Sequence, residues 1–361
     1  MRDGLDDVRA LLPGVRIGPL EHDTRGGSGR SSVRRVSADS GTLIVKTFAD
    51  AGPGWVRETA ALSVMPPDAP APRLVASGRT PPMVVMSDAG TGANVADALL
   101  GGDPLAAADA LVSWAVAIAS LHRATAGMRE EFRAALDARA GDQQVAESPL
   151  GSDLRDAAEV LAAHCAGLGV AVPTGAFAEL TGLASRLGAD GPAALTPADA
   201  CPDNNVRQGD TLMLIDFEGA QWRHVAWDVA YLVVPWPSCW CSWRVPEPAA
   251  ERALDAYRGA AGPAYADSPA FRRDVEAAAA GWALMSTAWF LPRALDDDPP
   301  PSDRRLVAPT RRALLLHRLA GARRTTQAPA LAELAGRLHD ALLRRWGEER
   351  LAYAPAFRAA G

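Results

Sequence analysis

The chain has 361 residues, 48% of them hydrophobic, which is enough for two lobes sharing a sizeable buried core. Its formal net charge of −6 excludes the basic footprint of a nucleic-acid binder. No stretch reads as a membrane span, and the acidic start, Met1 to Asp7, lacks the apolar core of a signal peptide.

Along the chain, residues 1–20 predict a short helix and an entry strand. A polar, glycine-rich loop covers 22–32. Two strand-like runs follow, Ser32–Ser37 and Thr42–Phe48, joined by a turn at 38–41 into a hairpin. Pro53-Gly54 opens a helix over about 55–64, and the proline-rich stretch 66–72 ends it. Leu74–Ser77 and Met83–Met86 are two more short strands. After Ser87 the composition turns alanine-rich. A long apolar helix is expected over 103–123, broken helices over 128–190, two small strands within 195–230, and an arginine-rich helical remainder over 248–355, divided by a Pro/Asp loop at 296–303. The expectation is an α+β chain in two lobes: residues 1–88 form a small antiparallel sheet with one helix, and 89–361 form a larger, mostly helical lobe.

The most informative segment runs from Leu195 to Asn204 and is followed by Leu212 to Glu218. It sets a carboxylate, Asp199, five residues before a carboxamide, Asn204, and then ends an apolar strand in a second carboxylate, Asp216. Phosphoryl transfer needs these groups: one carboxylate to orient a hydroxyl and take its proton, and a carboxamide and a carboxylate to hold Mg²⁺ against nucleotide phosphates. A hairpin (strand 205–208, turn 209–210, strand 211–215) would bring Asn204 and Asp216 together. Lys46 adds a compositional argument. It is the single lysine among 37 basic residues, so its ammonium suggests a task that a guanidinium cannot perform.

Here the sequence resembles the aminoglycoside phosphotransferase and choline kinase family, which shares the protein-kinase-like fold. The family's catalytic loop reads His-Gly-Asp-x-x-x-x-Asn and its metal loop Ile-Asp-Phe/Trp-Glu. This chain has Pro197-Ala198-Asp199, then Asn204, then Ile215-Asp216-Phe217-Glu218. Leu121-His122 and Asp228-Val229-Ala230 match further family elements in the right order. The resemblance implies an ATP-dependent, Mg²⁺-requiring kinase with a bilobal fold. It further implies that Lys46 meets the nucleotide phosphates with Glu58 as its helix partner, and that Gly26, Gly27, Ser28 and Gly29 cover the phosphates with backbone N–H groups. Met86 to Asp88 would be the hinge meeting adenine, Asp199 the catalytic base, Asn204 and Asp216 the metal ligands, and Asp228 a brace for the catalytic loop. The departures are Pro197 in place of the family histidine and Ala198 in place of the glycine.

Five of the ten tryptophans fall between 222 and 243. They read either as lobe core, as walls of an acceptor site, or as a surface for a protein partner. His122 and His224 read as hydrogen-bonded structural residues. The cysteines (165, 201, 239, 241) show no disulfide framework and point to a reduced, cytoplasmic protein. Cys239-Trp240-Cys241 reads as packing rather than as a metal or redox element. The acceptor is read as the hydroxyl of a small molecule or natural-product intermediate. The sequence leaves open a Ser/Thr hydroxyl of a modified peptide, GTP as donor, and a non-transferring nucleotide- or partner-binding pseudokinase.

Overall fold

The structure is a computed structural model, described for residues 4–22, 31–39, 41–239, 241–296 and 308–360. The glycine-rich segment with Gly27, Ser28 and Gly29 lies outside the described residues, as does Trp240.

The first lobe is a five-stranded antiparallel sheet in the order β1-β2-β3-β5-β4, built from β1 (Ile17–His22), β2 (Ser31–Ala38), β3 (Gly41–Phe48), β4 (Leu74–Arg79) and β5 (Pro82–Ser87). Strand side chains alternate between faces. Leu43, Val45, Met83 and Val85 therefore face one way, into a small cluster closed by Val8 of α1 (Leu5–Leu11) and by Leu12. Ile44, Val84 and Met86 face the other way, into the main core with Trp55, Val56 and Ala60 of α2 (Pro53–Val64). The same alternation puts Lys46 on the face that looks toward α2 and the second lobe.

The second lobe begins with the linker after Ser87 and α3 (Val95–Leu100). The linker is stitched to the motif region: Val95 N donates to Asn205 Oδ1 at 3.0 Å, Ala96 N to the Pro202 carbonyl at 2.9 Å, and Arg207 N to the Ala93 carbonyl at 3.2 Å. The approach is so close that a Cβ on Gly92 would stand 2.1 Å from the Arg207 carbonyl oxygen, so only glycine fits there. Helix α4 (Pro104–Thr125) starts on an Asp103 cap whose carboxylate accepts from Leu105 N and Ala106 N, with Pro104 at the first position. Trp114, Leu111, Ile118 and Leu121 on it are fully buried. Contrary to the sequence expectation, α4 is long and apolar enough to cross a membrane by length and composition. Half of its apolar window is buried within the protein, as in a core helix.

Helices α5 (Arg129–Ala140), α6 (Leu150–Gly167) and α7 (Ala176–Arg186) follow. The motif region holds four strands rather than the expected two. β7 (Asn205–Gln208) pairs with β8 (Thr211–Leu214) as the sequence suggested. In addition β6 (Ala193–Thr196) pairs with β9 (Gln221–His224). All four residues of β9 are buried, so it lacks the alternation that marks a half-exposed strand. Short α8 (Ala226–Val229), α9 (Glu247–Ala261), α10 (Pro263–Ala266), α11 (Pro269–Leu295), α12 (Arg311–Ala322) and α13 (Pro329–Trp346) complete the lobe.

The described tryptophans between 222 and 243 are core. Trp222, Trp227, Trp236 and Trp243 are all buried, with edge-to-face contacts from Trp114 to Trp236 and from Trp227 to Trp282. Their rings are not available as a docking surface, which corrects the partner-surface expectation for these four residues.

Candidate active site

Lys46 is 5% exposed and sits among three carboxylates. Its Nζ lies 2.6 Å from Glu58 Oε2 on α2, 2.6 Å from Asp216 Oδ1 after β8, and 3.1 Å from Glu218 Oε2. This one ammonium joins the two lobes. Burial alone would lower its pKa, but Glu58, Asp216 and Glu218 outweigh burial and hold it well above the usual lysine value. Glu58 is 1% exposed. Burial pushes its carboxyl up, Lys46 pulls it back, and the balance leaves it raised to about 7. Next to it, Arg57 ties α2 to the second lobe by donating to the carbonyls of Ala220 at 2.7 Å and Ala146 at 2.6 Å.

Asp199 stands on the loop after β6. Its Oδ1 accepts from Ser238 Oγ at 2.7 Å and from Cys201 Sγ at 2.9 Å. Burial raises its pKa. The two donors act in the opposite direction, and the nearby charge of Asp216 adds to the rise. A carboxyl so placed is a better proton acceptor than a free surface aspartate. Asn204 Nδ2 donates to the Asp199 backbone carbonyl at 2.8 Å, so the amide oxygen is the side-chain atom that could meet a cation. Ile215 N donates to the Asn204 carbonyl at 3.1 Å, so Asn204 lies against the residue preceding Asp216. Asp216 has φ 65°, a left-handed turn that lifts it off the end of β8.

The catalytic-loop geometry has supports that the sequence reading did not single out. Ala198, at the position of the family glycine, has φ 63°. Its carbonyl accepts from Arg223 Nη2 at 3.4 Å and from Tyr231 OH at 3.2 Å. Arg223 in turn donates to Asp228 Oδ1 at 2.5 Å, and both residues are buried. Asp228 also meets His122 Nε2 at 3.1 Å, and Tyr257 OH meets His122 Nδ1 at 2.9 Å. Burial opposes the charge on Asp228, but Arg223 and His122 outweigh it and hold the carboxyl below the ordinary range. Asn205, fully buried, donates to the carbonyls of Pro202 at 2.9 Å and Cys201 at 3.3 Å while accepting from Val95 N. Ser238, Arg223 and Asn205 act through pairings across the fold, which no local spacing reveals. Asp228, by contrast, was flagged by its motif.

Lys46, Glu58 and Asp216 meet directly, and Asp199 and Asn204 join them through the β7–β8 hairpin. Met86 lies inside β5, opposite Ile44 of β3 and Leu74 of β4. Asp88 is the first residue past that strand, and its carboxylate is already engaged. Arg35 Nε and Nη2 donate to it at 2.7 Å and 3.0 Å, and Gly90 N at 2.8 Å. The side chain of Asp88 is thus committed within the protein. The donor set Asn204, Asp216 and Glu218 is of hard oxygens, the kind that Mg²⁺ takes, and ligand atoms of Glu58, Asp216 and Glu218 lie within 4.8 Å of one another. A separate cavity of about 400 Å³, with Val233, Pro235, Arg258, Glu276 and Arg318 in its wall, does not include Asp199, Asn204 or Asp216 in its lining.

The fold matches that of an ethanolamine kinase from Plasmodium vivax, with a TM-score of 0.56 over 88% of this chain and 86% of that one at 13% identity. A choline kinase from Streptococcus pneumoniae matches with a TM-score of 0.50 over 88% of this chain and 96% of that one at 11% identity. At such identities the likeness speaks for the fold alone, a bilobal protein-kinase-like architecture. No curated protein sequence matches the chain. The sequence profile of the phosphotransferase enzyme family matches residues 24–271, well over half the chain and the span that carries Lys46, Asp199, Asn204 and Asp216, and the chain belongs to that family.

Proposed function

We propose that the protein transfers the γ-phosphoryl group of ATP to a hydroxyl of a small molecule. The observation that carries this reading is the Lys46 ammonium, held by Glu58 and reaching 2.6 Å to Asp216 across the lobes. That arrangement suits a cation aimed at nucleotide phosphates beside a metal-binding carboxylate. Asp199 would accept the proton of the attacking hydroxyl. It is kept in one orientation by Ser238 and Cys201, and its raised pKa favours proton uptake. Asn204 and Asp216 would hold Mg²⁺, which when bound neutralises charge on the phosphate oxygens. Lys46 would pair with the same phosphates, and Met86 to Asp88 would offer backbone groups to the adenine.

Pro197 in place of the family histidine favours a second reading, a module that binds nucleotide without transfer. The Arg223–Tyr231 clamp on Ala198 weighs against it, because it supplies loop support by other means. The experiment is a γ-phosphoryl transfer assay with ATP and Mg²⁺ over a panel of small-molecule alcohols and a Ser/Thr peptide, in wild type and in Asp199→Asn. Transfer that depends on Asp199 supports the enzyme. Tight nucleotide binding without transfer to any acceptor supports the module.

A further inference from the structure

Three of the four cysteines converge beside Asp199, and packing alone does not account for their surroundings. Cys201 comes from the loop between Asp199 and Asn204. Cys239 and Cys241 come from the turn that also carries Ser238. Ligand atoms of Cys201, Asp203 and Cys239 lie within 4.8 Å of one another. Cys241 Sγ lies 2.6 Å from Cys239 Sγ, and Asp203 Oδ1 3.7 Å from it. All three thiols are buried. Cys241 N–H points at Cys239 Sγ at 3.4 Å, a donor that suits a thiolate.

The independent observation is Arg318 of α12. It is 2% exposed, and among the described residues it has no carboxylate partner. Its Nη2 donates to the carbonyls of Pro235 and Trp236 and to Ser242 Oγ, all on the same turn as Cys239. Its Nε and Nη1 are buried without a partner. A buried guanidinium lacking a counter-anion is costly. Burial lowers its pKa to about 9, and the groups whose negative charge would oppose that are Tyr231, Cys239 and Cys201. Burial holds the Cys201 and Cys241 thiols well above the usual thiol range, so negative charge appears there only when a metal displaces their protons.

We propose that Cys201, Cys239 and Asp203, whose ligand atoms already lie together, form a structural zinc site that Cys241, now in contact with Cys239 alone of these, completes by moving in, giving three thiolates and one carboxylate. Soft sulfur donors select Zn²⁺ over Mg²⁺ or Ca²⁺, and four protein ligands close the coordination shell, as structural rather than catalytic sites do. Binding replaces three thiol protons with one Zn²⁺, so Cys201 gives up its hydrogen bond to Asp199 and Ser238 alone then holds that carboxylate oxygen. Three protons leave, the oxidation state does not change, and the complex carries a net charge of minus two, partly offset by Arg318. Tetrahedral zinc with sulfur at about 2.3 Å separates its sulfurs by roughly 3.7 Å, whereas a disulfide holds them at about 2.0 Å. The 2.6 Å contact lies between the two, so binding moves Cys241 and Cys239 apart by about 1 Å. The rival arrangement is a Cys239–Cys241 disulfide, which would bring no negative charge to Arg318. The ion clamps the segment between Asp199 and Asn204 onto the turn whose Ser238 positions the Asp199 carboxylate.

The site adjoins Asp199, but its readouts do not use activity and are therefore independent of the phosphotransfer reading. Full-length protein is purified without chelator and its zinc measured by mass spectrometry. It is then stripped and titrated with Co²⁺. The expected result is one zinc per chain, and with Co²⁺ a sulfur-to-cobalt charge-transfer band together with the intense visible bands of tetrahedral cobalt. Cys201→Ser and Cys241→Ser weaken Co²⁺ binding by at least roughly tenfold, while Cys165→Ser, on α6, leaves it unchanged. Wild-type protein with neither zinc nor the cobalt bands overturns the proposal whatever the variants do. So does a Cys239–Cys241 disulfide found by non-reducing peptide mapping of wild type.

Discussion

Arg223 pairs with Asp228 at 2.5 Å and, through the same guanidinium nitrogen, reaches the carbonyl of Ala198 at 3.4 Å, one residue before Asp199. The loop that lacks the family histidine is thus braced from β9. Removing Arg223 leaves Asp228 buried with only His122 beside it. Arg223→Met is expected to destabilise the protein by about 3–5 kcal/mol. Tyr231→Phe, which deletes one hydroxyl, is expected to cost about 1 kcal/mol. Urea denaturation followed by fluorescence checks both; equal effects of the two variants contradict the brace.

The Lys46 cluster gives a pH-dependent prediction. Glu58 has a folded pKa of about 7 against an unfolded value of 4.5. The folded state therefore binds more protons than the unfolded state between those values, and stability falls as pH rises through that window. Lys46 lowers the Glu58 pKa, so Lys46→Met raises it further and extends the decline to higher pH. Denaturation midpoints measured from pH 5 to 9 are expected to fall above pH 7 in Lys46→Met more steeply than in wild type. A flat profile in the variant shows that Glu58 is not held by this ammonium.

His224 contributes with the opposite sign. Burial is the main cause of its lowered pKa, about 4, against 6.5 when unfolded, with Asp274 pulling partly the other way. Its stabilising contribution is present above pH 6.5 and is lost as pH falls toward 4, because only the unfolded chain takes up the proton. At pH 5 that loss is roughly 2 kcal/mol. His224→Asn keeps an acceptor for Ala226 N, which donates to His224 Nδ1 at 3.1 Å, and removes the titration. Its stability is expected to change less than that of wild type between pH 7 and pH 5 in chemical denaturation.

The parts of the fold legible in the sequence were those with local signals. The alternation in Thr42–Phe48, the turns and prolines around α2, and the apolar run of α4 each predicted their element. The Asp199–Asn204–Asp216 spacing singled out the same hairpin that the structure forms. The strands β6 and β9 were missed because β9 is buried on every residue and shows no period of two. The braces Arg223, Asn205 and Ser238 were invisible for another reason: each acts on a backbone or side chain brought near only by tertiary folding. Asp88 stood out by position, yet its carboxylate is committed to Arg35, a pairing across more than fifty residues that no sequence window contains.

The most direct measurement is calorimetric ATP binding with and without Mg²⁺ in wild type, Asp216→Asn and Asp199→Asn. Wild type and Asp199→Asn are expected to gain at least roughly tenfold in affinity on adding Mg²⁺, as befits a phosphate-bridging metal site, and Asp216→Asn to lose that gain. An undiminished Mg²⁺ effect in Asp216→Asn would contradict the account.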